Sequence, residues 1–507
     1  MNDKINQATA KRPVLSGQAF DALPDAIQSY IRYLEAVIDQ QQTQIEQLKS
    51  RNNELEGRLS KNSANSSKPP SSDGMKRKPK SQRKRSGKAP GAQQGHTGKG
   101  LSQVDNPDFV ITYAPESCLG CGSQLGTVSG NCAEKRQVFD VPKPKIQVTE
   151  HRVEEKTCPC CGKVTRAFFP ENVTGPVQYG ERTRALIAYF SHQQFIPVER
   201  LCEIFEDVFA MPLSSGTRAN VDQQLFKQLE SFEANLKAYL LASQVLNFDE
   251  SGVRCEKKLH WVHVASSQAA TFYMIHSKRG QEAMEEADIL PQFKGIAVHD
   301  HWRPYFSFQQ LEHGLCNAHH LRELTFIYEQ KKEEWAKEMH DLLIHANNEV
   351  HRHFSEGKLP NGLLLKIEQD YQKILKAGFD YHASLTPLPR SKRGKQKQRE
   401  GKNLLDRLKE KRDCVLRFAH DFSVPFTNNQ GEQDIRMIKL KQKISGCFRT
   451  LQGGQIFCRI RSYISTARKQ GWKILDVLAE AIRGSPRLLP LSNIPKTLDV
   501  DVHLQHA

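Results

Sequence analysis

Two apolar runs that each stop on an acid constrain this chain more than any other feature. In QVLNFDESGVR, Gln244 to Arg254, the residues Val245, Leu246 and Phe248 lead into Asp249–Glu250 and then Ser251–Gly252. The pattern returns 51 residues on in KGIAVHDHW, where Ile296, Ala297 and Val298 lead to Asp300. A short apolar run without polar alternation reads as a buried strand, and the acid as a side chain delivered at its tip. A third acid, Glu432, falls in TNNQGEQDIRMIKLKQK, which reads as the first turn of a basic helix. Two strand-tip aspartates and one helical glutamate can converge on two divalent cations. Three carboxylates bring −3 and two Mg²⁺ bring +4, a balance that still attracts a phosphodiester. The plainer alternative is that the acids only turn the chain into solvent, where Asp and Gly are favoured.

The surroundings of these runs predict a mixed α/β sheet. Strand candidates are QVLNFD, LHWVHVAS, TFYMIHS and KGIAVHD, followed by HGLCN leading into a helix from Ala318. Residues 331–421 read as a helical insertion between the second aspartate and the glutamate, broken by a basic loop, Arg390 to Lys402. Cys316-x-x-His319 resembles half of a metal site without a second pair and reads as structural. Residues 422–490 hold the glutamate helix and two further amphipathic helices, and 491–507 read as a tail.

At 507 residues the chain has room for several domains, and twelve cysteines are too sparse for a disulfide scaffold. The net charge of +16 calls for a polyanionic partner. It is concentrated: residues 61–100 hold eleven Lys/Arg against Asp73 alone. Lys76, Arg77, Lys78, Arg83, Lys84 and Arg85 lie in this Pro/Ser/Gly-rich stretch, which reads as a disordered linker (61–105) that binds phosphate backbones. The alternative is a solubilising tail. No apolar run approaches membrane-span length and the N-terminus lacks a signal-peptide core, so a cytoplasmic protein is expected.

Ahead of the linker, residues 1–60 carry heptads. Ile31, Ile38, Ile45, Asn52 and Leu59 occupy position a, and Ile27, Leu34, Gln41, Leu48 and Leu55 occupy d. Ile at a with Leu at d favours a parallel two-stranded coiled coil, hence a homodimer or higher oligomer; a single packed amphipathic helix is the alternative. After the linker come two knuckles, Cys118-x-x-Cys121-Gly and Cys158-x-x-Cys161-Gly. Four thiolates suit one tetrahedral zinc per chain, and strand-like runs QVFDV and KIQVTEHRV complete an expected zinc ribbon at 106–170. Residues 171–238 read as helical. A turn before SSGTRANVDQQL, capped by Ser214 or Ser215, fits either helix-turn-helix readout or plain packing.

The motifs KNSANSSKPPSSD, the paired knuckles, FDESG, VHDHWRPY, CNAHHLREL and NNQGEQDIRMIK occur in this order over nearly the whole length. In this the chain resembles the insertion-sequence-sixty-six-type bacterial transposases, a DDE family with a leucine zipper and a zinc ribbon. The resemblance implies a multidomain α/β protein with an RNase H-like core (first part 239–330) and Asp249, Asp300 and Glu432 as its acidic triad. It also implies Mg²⁺-dependent cleavage at element ends and attack of the freed 3′-hydroxyl on target double-stranded DNA, with helper proteins of the element as further partners. Ser251 departs from an expected Thr, and Gly431 is a poor helix former beside the glutamate. Arg436, Lys439, Lys441 and Lys443 follow Glu432 as candidate phosphate contacts; a solvated helix face is the alternative. Two rival functions stay open here: a nuclease of the same fold that does not join strands, and a non-catalytic DNA-binding protein.

Overall fold

The structure is a computed structural model that describes residues 20–62, 65–66, 91, 100–386, 388 and 398–491. Helix α1 (Asp25–Ser60) comes first, and the hairpin β1 (Glu155–Thr157) and β2 (Val164–Arg166) follows. Helices α2 (Glu181–Ala188), α3 (Val198–Phe209), α4 (Ser215–Gln228) and α5 (Glu230–Leu241) precede the sheet. The sheet comprises β3 (Val245–Cys255), β4 (Lys258–Ser266), β5 (Thr271–His276), β6 (Ile296–His299) and β7 (Glu312–Leu315), with α6 (Gln281–Ala287) between β5 and β6. Then come α7 (Asn317–Phe326), α8 (Glu334–Arg352), α9 (Asn361–Ser384), α10 (Glu400–Glu410) and α11 (Arg412–His420). The chain closes with α12 (Asn429–Ser445), α13 (Leu451–Lys469) and α14 (Ile474–Ile482). The result is a mixed α/β protein, and among the described residues no helix is long and apolar enough to cross a membrane.

The chain divides into two compact units, residues 1–80 with 316–422 and residues 81–315 with 423–507. The first unit is helical. Along α1 the heptad positions Ile27, Leu34, Ile38, Ile45, Leu48 and Leu55 stay exposed, an apolar seam without a cover in the single chain. The end of α1 is tied down: Lys61 pairs with Glu400 at 2.6 Å and sits 5.0 Å over the Phe326 ring. Between α8, α9 and α10, Glu333 accepts from Trp335 Nε1 at 2.7 Å and lies 3.0 Å from His382 Nε2. Gly378 allows the close approach, since a Cβ there would meet Leu405 and Trp335 at about van der Waals contact or less. The helix expected from Ala318 forms as α7, and the helices of residues 334–420 follow it in this unit.

The second unit is built on the five-stranded sheet, in the order β5-β4-β3-β6-β7. β3 pairs antiparallel with β4, and β4 antiparallel with β5, while β6 runs parallel to both β3 and β7. As the central strand, β3 buries Leu246, Asn247 and Phe248 in succession, which is why its sequence lacks alternation. One layer packs Val253, Val262 and Tyr273 against Ile435 and Ile438 of α12; another packs Leu246, Phe248 and Phe272 against the helices of residues 181–241 and 451–482. Ser214 caps α4, its hydroxyl accepting the Thr217 N–H at 3.0 Å, one of the two caps expected.

One expectation fails in this unit. Neither Gln137–Val141 nor Lys145–Val153 forms a strand; the three-residue β1 and β2 pair around the second knuckle, and a single bridge joins Ser117 and Gln124 at the first. Val138 (92 % exposed), Val141 and Val148 have no apolar layer to cover. A β-branched run without a partner face gains nothing from pairing.

Candidate active site

Asp249 and Asp300 meet through strand register. β3 and β6 pair Val245 with Ile296, Leu246 with Ala297 and Asn247 with Val298, so the same offset sets Asp249 opposite Asp300. In a parallel pair, residues opposite each other project to one face. The 51-residue spacing seen in the sequence is thus the register offset itself. Asp249 Oδ1 accepts the Glu250 N–H at 2.8 Å, and Asp300 Oδ1 accepts the Trp302 N–H at 2.9 Å. The second oxygen of each makes no hydrogen bond among the described residues.

α12 is fastened to β3 beside Asp249, which brings Glu432 close enough to act on the Asp249 carboxyl. Asn428, buried, donates through Nδ2 to the Phe248 carbonyl at 2.7 Å and accepts from Asn247 Nδ2 at 2.8 Å. A Cβ on Gly431 would stand 3.0 Å from Asn428 Oδ1, so the glycine makes room for this fastening. The helix starts at Asn429 and has no side-chain cap, so Asn429 and Glu432 form no capping box. Among the described residues the Glu432 carboxylate has a single hydrogen-bond and ion-pair partner, Arg436 at 3.5 Å. Asp434 is committed instead: its Oδ2 takes Lys469 Nζ at 2.8 Å, Gln430 Nε2 at 3.0 Å and the Thr271 hydroxyl at 3.2 Å.

The three acids share one electrostatic neighbourhood. Burial pushes the Asp249 carboxyl well above the usual range, and Glu250, Asp300 and Glu432 add to that rise. Asp300 is pushed up to about 6, first by burial and then by Glu250, against the pull of the Trp302 N–H and of Arg279. Among the described residues the three sets of oxygens do not all lie within 4.8 Å of one another. Uncommitted hard oxygens held this way suit Mg²⁺, whose charge would reverse the rise.

The sequence singled out neither the residues that hold these acids nor those behind them. Glu250 is neutralised by Arg279, with Nε at 2.9 Å and Nη2 at 2.6 Å, and by the Tyr305 hydroxyl at 2.6 Å. Behind Asp300, His299 is kept neutral by burial and by His313, with a pKa lowered to about 3. Its Nδ1 donates to the Asp300 carbonyl, so its Nε2 accepts from His313 Nδ1 at 2.9 Å. Asn428 and Gly431 carried a signal in the motif around Glu432; Arg279, His299 and His313 carried none without the fold.

The remaining candidates divide. Arg436, Lys439 and Lys443 are exposed on α12, although Lys439 Nζ donates to the Gly252 carbonyl at 2.9 Å. Lys441 turns inward beside Ile435 and Ile438, 9 % exposed, with Nζ 2.9 Å from the Gly446 carbonyl and 4.0 Å over the Phe448 ring. It presents no free ammonium to DNA. Lys76, Arg77, Lys78, Arg83, Lys84 and Arg85 lie outside the described residues, as does most of the loop Arg390–Lys402.

Each cysteine knuckle is a tight turn of the same form. Gly122 and Gly162 have φ of 73° and 74°, and their N–H groups donate to the carbonyls of Cys118 and Cys158 at 2.9 Å. Amides of Cys161 and Cys160 lower the Cys158 thiol; the Ser123 hydroxyl and amide, then the Cys118 thiol, lower that of Cys121. These are donors of the kind that support a bound thiolate. Among the described residues the four thiols are not gathered into one close group.

No curated protein matches the sequence. Residues 22–102 match a family of unknown function, DUF6444. The Transposase IS66 family matches residues 176–456, which take in the helices before the sheet, the whole sheet, Asp249, Asp300 and Glu432. With more than half of its length so matched, the chain belongs to the IS66 family of transposases.

Proposed function

We propose that this transposase cleaves the ends of its element and joins the freed 3′-hydroxyl to target double-stranded DNA, using Asp249, Asp300 and Glu432. The observation that carries the reading is the register pairing of Asp249 with Asp300, with Glu432 fastened beside them through Asn428. Three antiparallel strands followed by two parallel ones, with the acids on the central strand and its parallel neighbour, support an RNase H-like core. Two Mg²⁺ ions would be held by the uncommitted carboxylate oxygens; they supply activation of the attacking hydroxyl and stabilisation of the leaving oxygen. The residues of the chain do the rest: Arg279 and Tyr305 keep Glu250 out of competition, and His299 fixes the backbone of Asp300.

The other parts serve assembly and DNA capture. The exposed seam of α1 supports a parallel coiled-coil dimer, the two knuckles one structural zinc through Cys118, Cys121, Cys158 and Cys161, and Arg436, Lys439 and Lys443 phosphate contacts. The basic linker adds salt-sensitive binding, and the protein works on DNA in the cytoplasm. A labelled duplex carrying the element's flanking repeats tests the reading. Asp249→Asn and Asp300→Asn should bind it and leave it uncut, while the parent yields joined products; hydrolysed ends without joining would make the protein a nuclease.

A further inference from the structure

Arg279 lies in the loop between β5 and α6 and is held on three sides. Nε and Nη2 both donate to Glu250 Oε1, and the Glu250 side chain is only 2 % exposed. The guanidinium carbon sits 4.0 Å from the Trp302 ring centre and 4.9 Å from that of Trp261. The fourth side, the edge carrying Nη1, makes no hydrogen bond among the described residues, and the side chain is 37 % exposed. Its charge acts on the acid site, holding Asp300 down against burial.

Neutralising Glu250 alone would not call for this arrangement, since a compact ammonium could do it. Two indoles and a carboxylate fix the plane of the fork before any ligand arrives, which removes the entropy that a free arginine loses on binding. The uncovered edge of a guanidinium donates to the oxygens of a phosphate in its own plane. Beside carboxylates that raise one another's pKa, a fixed cation adds attraction for an incoming DNA strand.

We propose that the Nη1 edge of Arg279 binds a backbone phosphate of the DNA strand that enters the carboxylate site, an inference that rests on the function proposed above. Arg279 is then a DNA-binding residue as well as the partner of Glu250.

Full-length zinc-loaded protein and a fluorescent random-sequence duplex test it in buffer without added Mg²⁺, so that the zinc stays bound and no cleavage is needed for the readout. Arg279→Gln should flatten the slope of log K against log salt by about 0.9, one phosphate contact. Arg279→Lys should keep the slope and bind severalfold more weakly. Arg279→Gln leaves Glu250 buried without its cation and can unfold, so the decisive pair is Glu250→Gln and Glu250→Gln/Arg279→Gln, in which no charge is stranded. The double variant should show a slope shallower by about 0.9 than Glu250→Gln alone. Equal slopes in that pair would overturn the proposal and leave Arg279 a purely structural partner. A shallower slope in an enzyme that neither cleaves nor joins with Mg²⁺ would support Arg279 while overturning the proposed chemistry.

Discussion

The strand-tip carboxylates and the cysteine knuckles lie in the same unit of the molecule, yet they are organised in opposite ways. Asp249 and Asp300 are placed by buried backbone: the register of β3 and β6 and the Asn428 fastening are made between protein groups. The knuckles have local turns of the right form but no core between them, and Val138, Phe139 and Val148 stand exposed along the spacer. A site positioned by packing waits for its metal in a folded state. A site positioned by its metal acquires its fold on binding.

Zinc removal should therefore produce the largest difference between the two regions. Apparent zinc affinities of structural sites correspond to about 10–16 kcal/mol, all of it coupled to folding. Purified protein should carry one zinc per chain, and Cys118→Ser/Cys161→Ser should carry none. Hydrogen exchange should then rise across residues 106–170 while β3 keeps its protection. Zinc-free parent protein, or equal loss of protection in β3, would break the comparison.

The same contrast explains what could be read from the sequence. The apolar runs before Asp249 and Asp300 announced their strands because burial on both faces leaves a compositional trace, and the helices of residues 317–420 announced themselves by period. Gln137–Val141 and Lys145–Val153 left a similar trace without the partner surface that makes a strand. The heptads of α1 were legible as a helix, and their exposed seam agrees with the pattern. Arg279 and the His299–His313 pair were not legible, because their meaning depends on contacts with residues 14 to 29 positions away. The burial of Lys441 was not legible because charge runs along α12 at every second residue, whereas the face that packs follows the helical period through Ile435, Ile438 and Lys441.

The next largest effect separates two acids on one helix. Glu432→Gln should remain folded and bind DNA, yet lose at least ~10²-fold in cleavage, the scale of loss already known for groups one shell further from a metal. Asp434→Asn should cleave near normally and melt lower, since Asp434 holds Lys469 rather than the site. Cleavage by the Gln variant with loss in the Asn variant would move the assignment to Asp434. Smaller again is Asn428→Ala, which strands the Phe248 carbonyl and Asn247. It should cost about 1–3 kcal/mol in denaturant titration and lower cleavage without altering the DNA salt slope.

The smallest effect tests whether position on α12, rather than charge, decides what a lysine does. Burial lowers the Lys441 pKa to about 8 from the usual 10.5. Between those values the unfolded chain binds a proton that the folded chain does not, so this group makes stability rise with pH over that window. Below pH 8 both states are protonated, and the folded state holds the buried charge at a cost of roughly 3 kcal/mol by the same arithmetic. Lys441→Met keeps the stem and removes the charge. It should raise the melting temperature at pH 7 and lose the pH-dependent gain that the parent shows between about 8 and 10.5. It should leave the salt slope of DNA binding unchanged, whereas Lys443→Met, on the exposed face, should flatten that slope by about 0.9. If Lys441→Met flattens the DNA slope instead, the inward face of α12 opens when DNA binds, and packing does not set the boundary between core and interface on this helix.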